Sequence, residues 1–458
     1  MTTAALVSPY PAPAPVVGLE KRERASIVER IVCAYLTTIP ILWALGLLLP
    51  VAMVMIAGIL LFCVRSRRAL AYAAPWFAVG ACQIVSVAVN MAHLQQPWSM
   101  ILKHVFASYV SGWFLLGGAV AIGASGSIRS RPFLRSAARI GFAAAGLAVI
   151  LYPLALVSSE PNLLVRTPIG LFLSESMPST SFYFSMLLFN WEETLGVSLP
   201  RLSLFSPWAT AMGFSGVCLF LISLNEPVRR RRRIALACAA FMVFASAGRL
   251  AVLSLALCSA VWWLLGRSRR FLVPAASGAI ALVLFGFVAS LSSPSDLIEA
   301  GNTALDDLRP SASHARDLVY ERTWAEIYKS PWVGHGWPGE AVYPSDYPKV
   351  TLGDESTMVL GSHSTFAGLL YKGGALTLAA FLGALAWTLF LVHFRTADRS
   401  VARSTIALVL AIGMLGFGEC LDSLVLPSLF AFLWLGIALS LCRTAPRDGI
   451  AGGIEVRT

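Results

Sequence analysis

The sequence predicts an all-α polytopic integral membrane protein of about twelve transmembrane helices, and three observations carry the prediction. Only 13% of the 458 residues are charged, 57% are hydrophobic, and the mean hydropathy is +0.73. A water-exposed surface needs about 25% charged residues, so most of this surface must face lipid. The apolar residues fall into segments separated by short basic loops, and alternate loops carry opposite charge.

Taken in order, residues 1–20 are rich in Pro and Ala and lack the basic n-region and apolar core of a signal peptide, and residues 1–30 read as a disordered cytoplasmic tail. The transmembrane domain is expected over 31–442. Its spans are 31–47, 49–64, 69–91, 104–125, 140–158, 206–224, 234–247, 250–265, 271–291, 374–394, 405–421 and 424–442. The first two come from one apolar run, split near Gly46 and Pro50 because both of its flanks are basic. The pair 234–247 and 250–265 is short for two spans. Two long loops interrupt the series, 159–205 and 292–372. The second lies between the ninth and tenth spans and is expected to be largely helical. Residues 443–458 form a second cytoplasmic tail.

The alternation of charge fixes the expected orientation. One set of loops and both tails collect 25 Lys and Arg against 7 Asp and Glu, a net of +18; the remainder holds 10 against 17, a net of −7. The positive-inside rule puts the first set in the cytoplasm, with both termini, and the two long loops in the periplasm of a bacterial inner membrane. The basic balance therefore points to anionic membrane lipid. Nucleic-acid binding would need a basic, aromatic-bearing soluble module, and the sequence has none. The eight cysteines lie in or beside apolar segments with no CxxC spacing and read as small buried hydrophobes. No metal-binding motif and no nucleotide-binding loop is present, so neither metal nor cofactor is expected.

Basic residues are scarce in the long loops, which makes those present informative. Arg249, in "ASAGRLAVLSLAL", separates two short apolar segments; it either binds an anion or snorkels from membrane depth to the interface. Arg316 and Arg322 lie in a predicted amphipathic helix with Ser313 as N-cap and a stripe of Tyr320, Trp324, Ile327 and Tyr328. Glu326, one turn from Arg322, offers it an ordinary ion pair. Arg201 precedes the sixth span. His335 sits in the turn-rich "GHGWPG", and His363 in "SHSTFAGLLYKGGALTLAAFL" at a helix start. There the positive end of the dipole favours the neutral imidazole that a general base needs. Glu419 and Asp422, near the end of the eleventh span, are acidic candidates to partner one of the arginines.

Three stretches together resemble the O-antigen ligase and O-antigen polymerase superfamily of bacterial surface-polysaccharide assembly: "ASAGRLAVLSLAL", "ERTWAEIYKSPWVGHGWPG", and "SHSTFAGLLYKGGALTLAAFL" at the end of the large loop. The resemblance runs over roughly 200–440. It implies that Arg249 and Arg322 bind the diphosphate of the substrate and that His363 is the catalytic base, with Arg201, Arg316, His335 and Glu419 as secondary candidates. Two positions depart from the family pattern: Gly248 stands where Ser usually precedes the first Arg, and Ser364 where Asn often follows the His. The implied reaction is metal-independent, inverting glycosyl transfer from an undecaprenyl-pyrophosphate-linked oligosaccharide at the periplasmic face. The acceptor is another repeat unit in an exopolysaccharide or O-antigen polymerase, which the sequence reading favours, or lipid A-core in a ligase. The expected partners are the lipid-linked glycan, the growing polysaccharide or lipid acceptor, membrane lipids, a flippase and a chain-length co-polymerase. A lipid-linked oligosaccharide flippase is the competing class, but transporters gather their polar groups at mid-membrane rather than in an external loop of about eighty residues.

Overall fold

The computed structural model describes residues 25–94, 97–158, 160, 162–173, 184–194, 197–267, 310–337, 340–342, 357–362, 364–396 and 398–442. Helices dominate. In chain order the first are α1 (Ile27–Leu45), α2 (Leu48–Phe62), α3 (Arg67–Leu94), α4 (Trp98–His104), a π-helix (Val105–Phe114), α5 (Leu115–Ala124) and α6 (Ser130–Val157). The strand region holds β1 (Asn162–Arg166), α7 (Pro168–Leu173), β2 (Ser185–Thr194) and β3 (Val197–Leu202). Then come α8 (Ala209–Ser223), α9 (Arg229–Ala245), α10 (Arg249–Arg267), α11 (Pro310–Ile327), β4 (Glu340–Val342), β5 (Thr357–Val359), α12 (Thr365–Arg395), α13 (Arg399–Gly418) and α14 (Val425–Ser440).

Among the described residues, seven stretches are long and apolar enough to cross a membrane: α1, α3 over Arg67–Met91, the continuous Trp98–Ala124, α6, α10, α12 and α13. Shorter apolar helices run over Leu48–Phe62, Ala209–Ser223 and Ser428–Ser440. The protein is thus an integral membrane protein built mostly of helices. Eleven of the twelve predicted spans fall on a helix, and the ninth, 271–291, lies outside the described residues.

Local chemistry explains the breaks. Gly46 ends α1 in the left-handed region at φ 76°, so the long apolar run divides there, and Pro50 is accommodated in the first turn of α2. α1 starts at Ile27 rather than 31, because the Ser26 side chain caps it by accepting from the Glu29 N–H at 3.0 Å. α5 and α14 cross at Gly123 and Gly436. A side chain at either would strike the backbone of the other helix, the small-residue contact that lets membrane helices approach closely. Nearby, the buried Trp76 meets Phe381 and Phe432 edge-on and donates to Thr388 Oγ1.

The 159–205 loop holds more order than its sequence suggested. β1, β2 and β3 form an antiparallel sheet in which Asn190 pairs with Arg201 and Phe189 with Leu202. Leu187, Phe189 and Leu202 are buried while Leu164, Val165 and Leu199 are exposed. The alternation is too short and irregular to stand out between apolar spans.

α12 bends at Gly374, whose φ of 66° and ψ of −170° interrupt the helix. A side chain there would collide with the backbone of Trp332, so only glycine fits. The bend strands backbone groups on both sides, and one loop takes them up. The Tyr371 and Lys372 carbonyls accept from the N–H groups of His335 and Gly336 at 2.8 and 2.9 Å. The Ala375 and Leu376 N–H groups donate to the carbonyls of Pro331 and Trp332. The kink is therefore held by a different part of the chain.

Candidate functional site

The site lies where the N-terminus of α10 and the C-terminus of α13 meet the start of α12, at the helix ends opposite the arginine runs. α9 gives way to α10 through a three-residue turn. Ala247 sits at φ 46°, a left-handed conformation unusual for a residue with a side chain. Ser246, fully buried, stabilises this turn: its hydroxyl donates to the Val243 carbonyl at 2.7 Å and accepts from the Gly248 N–H at 3.2 Å. Its carbonyl accepts from Arg201 Nε at 2.8 Å. Arg201 is only 7% exposed, carried into the interior by β3. Ser246 stands two residues before Gly248, the position at which the resemblance leads one to expect a Ser. A Cβ at Gly248 would come within 3.2 Å of the Ser246 Oγ, so the two would compete for one space.

Arg249 is the first residue of α10 and is exposed. It stands at the N-terminus of α10, at the break between the two apolar helices α9 and α10. Among the described residues it makes no hydrogen bond or ion pair. Its guanidinium adds to the positive end of the helix dipole, a combination suited to an anion. Leu250, beside it, packs where a side chain at Gly418 would stand, and so brings α10 against the end of α13.

Glu419 follows that end and is 6% exposed. Its Oε2 accepts from Trp208 Nε1 at 3.1 Å, and its carbonyl accepts from the Thr365 N–H and hydroxyl at 3.0 and 2.6 Å. Thr365 Oγ1 in turn accepts from the Leu421 N–H at 2.9 Å. Ser364 is the N-cap of α12, its Oγ accepting from the Ala367 N–H at 3.3 Å. His363, the proposed base, lies outside the described residues, between the described Ser362 and Ser364. The Cys420 thiol donates to the Gly361 and Ser364 carbonyls.

α11 closes the other side. Thr323, fully buried, accepts from the Gly361 N–H at 3.0 Å, and the Tyr320 hydroxyl donates to the Phe417 carbonyl at 3.4 Å. Arg322 is exposed on the rim next to Thr323, while Glu326 pairs with Lys329. Three of the four residues of the predicted apolar stripe pack inward, Tyr320 partly buried against the core. Trp324 and Ile327 are buried with Val319, which the sequence reading overlooked, but Tyr328 is 67% exposed because the helix ends at Ile327. The described helix already includes Pro310, so Ser313 lies within it rather than at its N-cap. Arg316 lies on this helix, with its side chain outside the described residues. His335 faces away from the rim: Nε2 meets the Glu326 carbonyl at 2.9 Å and the ring stacks on Tyr371 at 4.8 Å.

One pair escaped the sequence reading. Lys372 Nζ donates to Asp422 Oδ2 at 3.1 Å, with side chains 12% and 9% exposed. Asp422 is therefore partnered by a lysine of α12, not by an arginine. The signal was present in the rarity of Lys372 among apolar neighbours, but 50 residues separate the two partners. Among the described residues no three His, Cys, Asp or Glu side chains cluster as a metal site.

The arrangement defines a membrane protein whose buried polar network borders two exposed arginines, Arg249 and Arg322. Residues 234–382 match the Wzy_C family model, O-antigen ligase, and the match takes in α9 from residue 234 onward, Arg249, α11, His335, His363 and the kinked start of α12. It supports the O-antigen ligase and polymerase superfamily, whose members are membrane glycosyltransferase-like enzymes, for this chain. No curated protein matches the chain.

Proposed function

We propose that this protein is a surface-polysaccharide polymerase that transfers a glycan from undecaprenyl pyrophosphate to another lipid-linked repeat unit at the periplasmic face. The observation that carries the reading is Arg249: exposed, without a carboxylate partner among the described residues, at a helix N-terminus beside the 201–246 network. In the reaction the acceptor hydroxyl oxygen forms the new bond to the donor sugar's C1 while the bond from C1 to the phosphate oxygen breaks. The electron pair leaves on the diphosphate and the hydroxyl proton goes to His363. A single displacement inverts the anomeric centre. Arg249 and Arg322 meet the charge on the departing diphosphate; guanidinium forks suit phosphate oxygens and stay charged at any working pH. Arg201 and Glu419 hold the α9–α10 turn and the start of α12 in register, and His335 anchors the kink.

A second reading, in keeping with the O-antigen ligase family that residues 234–382 match, takes lipid A-core as the acceptor and makes the protein a ligase. Glycans of a deletion strain separate the two. Single lipid-linked units without polymer identify a polymerase, long polymer retained on undecaprenyl pyrophosphate identifies a ligase, and normal surface polysaccharide overturns both.

A further inference from the structure

At the opposite end of the helices, α10 carries an exposed stripe of Leu253, Leu257, Ala260 and Leu264, spaced three and four residues apart, which leads to Arg267. The Arg267 guanidinium lies 3.9 Å over the ring of Trp263, itself half exposed. Beside it, Arg403 of α13 lies 5.2 Å over the ring of Trp262. Gly266 makes this placement possible: a side chain there would run into the Arg403 guanidinium. Arg403 Nε donates to the Arg399 carbonyl in its own helix, and among the described residues neither Arg267 nor Arg403 meets a carboxylate. The Trp262 ring N–H is buried and has no acceptor. The start of α9, Arg229–Arg233, adjoins through Asn225, whose Nδ2 donates to Ser404 Oγ at 2.7 Å, and has no acidic residue in its first turn.

We propose that Arg267, Arg403 and the indoles of Trp262 and Trp263 form a seat for one anionic phospholipid, with its phosphate on the two guanidinium groups and an acyl chain along Leu264, Leu257 and Leu253. Two cations held flat on aromatic faces and short of counter-charge call for an anion. The apolar stripe running straight away from them calls for a hydrocarbon tail, which a free phosphate lacks. The seat is independent of the glycosyl-transfer reading, since it lies at the other end of the helices.

The test is a titration of delipidated full-length protein in detergent with phosphatidylglycerol or phosphatidylcholine, with bound lipids counted by native mass spectrometry. The first phosphatidylglycerol should bind much more tightly than phosphatidylcholine. Arg267→Gln/Arg403→Gln should weaken it roughly 30-fold, about fivefold for each basic group. Arg135→Gln/Arg139→Gln, which removes equal charge at the start of α6, should leave the first site intact. Gly266→Val keeps every charge but displaces Arg403 and should also weaken binding, with helical content and elution position confirming the fold. Equal affinity for both lipids, equal loss in the two arginine doubles, or full binding by Gly266→Val would each overturn the proposal.

Discussion

The two ends of the helix bundle use charge in opposite ways. At the basic end, Arg229, Arg230, Arg231, Arg233 and Arg399 stand exposed at helix starts, and the described ion pair there joins Glu29 to Arg129. At the other end charges are few but engaged: Arg201 on Ser246, Glu419 on Trp208, Lys372 on Asp422. Abundant exposed charge can orient a chain in a membrane without placing any one group accurately. Sparse, buried and bonded charge costs desolvation and is tolerated where position matters. Arg249 breaks the second pattern: exposed, and with no hydrogen bond or ion pair among the described residues, it is the best candidate to receive a substrate anion.

Substitutions sharpen the contrast. The largest effect is expected at His363: replacement by Ala should lower turnover about 10²–10⁴-fold while donor binding persists. Because Asn also caps helices well, near-normal polymer from His363→Asn at matched membrane levels would reduce this residue to a cap. Arg249→Ala should cost roughly 10²–10³-fold in rate. Arg249→Lys should restore little, because it keeps the charge but loses the fork; a fully active lysine variant would show that a point charge suffices. Lys372→Met strands a buried carboxylate and should destabilise the protein by about 3–5 kcal/mol, whereas Lys372→Met/Asp422→Leu should recover much of the loss in thermal unfolding in detergent. Arg322→Ala should raise KM roughly tenfold with no change in unfolding temperature, as expected for one charge-assisted contact on an exposed rim. The smallest effect belongs to the basic end. Glu29→Gln should cost about 1 kcal/mol at most, because Arg129 is 39% exposed and water screens the pair.

Much of this architecture was legible in the sequence because lipid enforces a simple code. The split at Gly46, the break before Arg249 and the turn ahead of the tenth span all follow from apolar length, glycine and arginine placement. The π-helix Val105–Phe114 was not legible, since its residues are as apolar as any span and nothing local marks the change of hydrogen-bond register. The sheet was hidden for lack of a clean alternation. Within the site, the arginines could be singled out because they are rare in these loops. Their surroundings could not: the contacts of Arg201 with Ser246 and of Lys372 with Asp422 join residues far apart in sequence, and local pattern carries no trace of them.

The loop at 331–336 bears on how the protein is made. Asn90 Nδ2 donates to the Gly334 carbonyl, Ser86 Oγ to the Lys372 carbonyl, and the Tyr109 hydroxyl to the Gly336 carbonyl. α3 leaves the ribosome more than two hundred residues before those acceptors exist, 244 in the case of Asn90 and Gly334. The polar face of α3 must therefore wait, bonded to water or to provisional neighbours, while most of the remaining helices are inserted. Assembly of this bundle cannot run strictly from first helix to last. Nascent chains arrested before residue 334 should expose that face to membrane quality control, and chains that reach residue 372 should bury it.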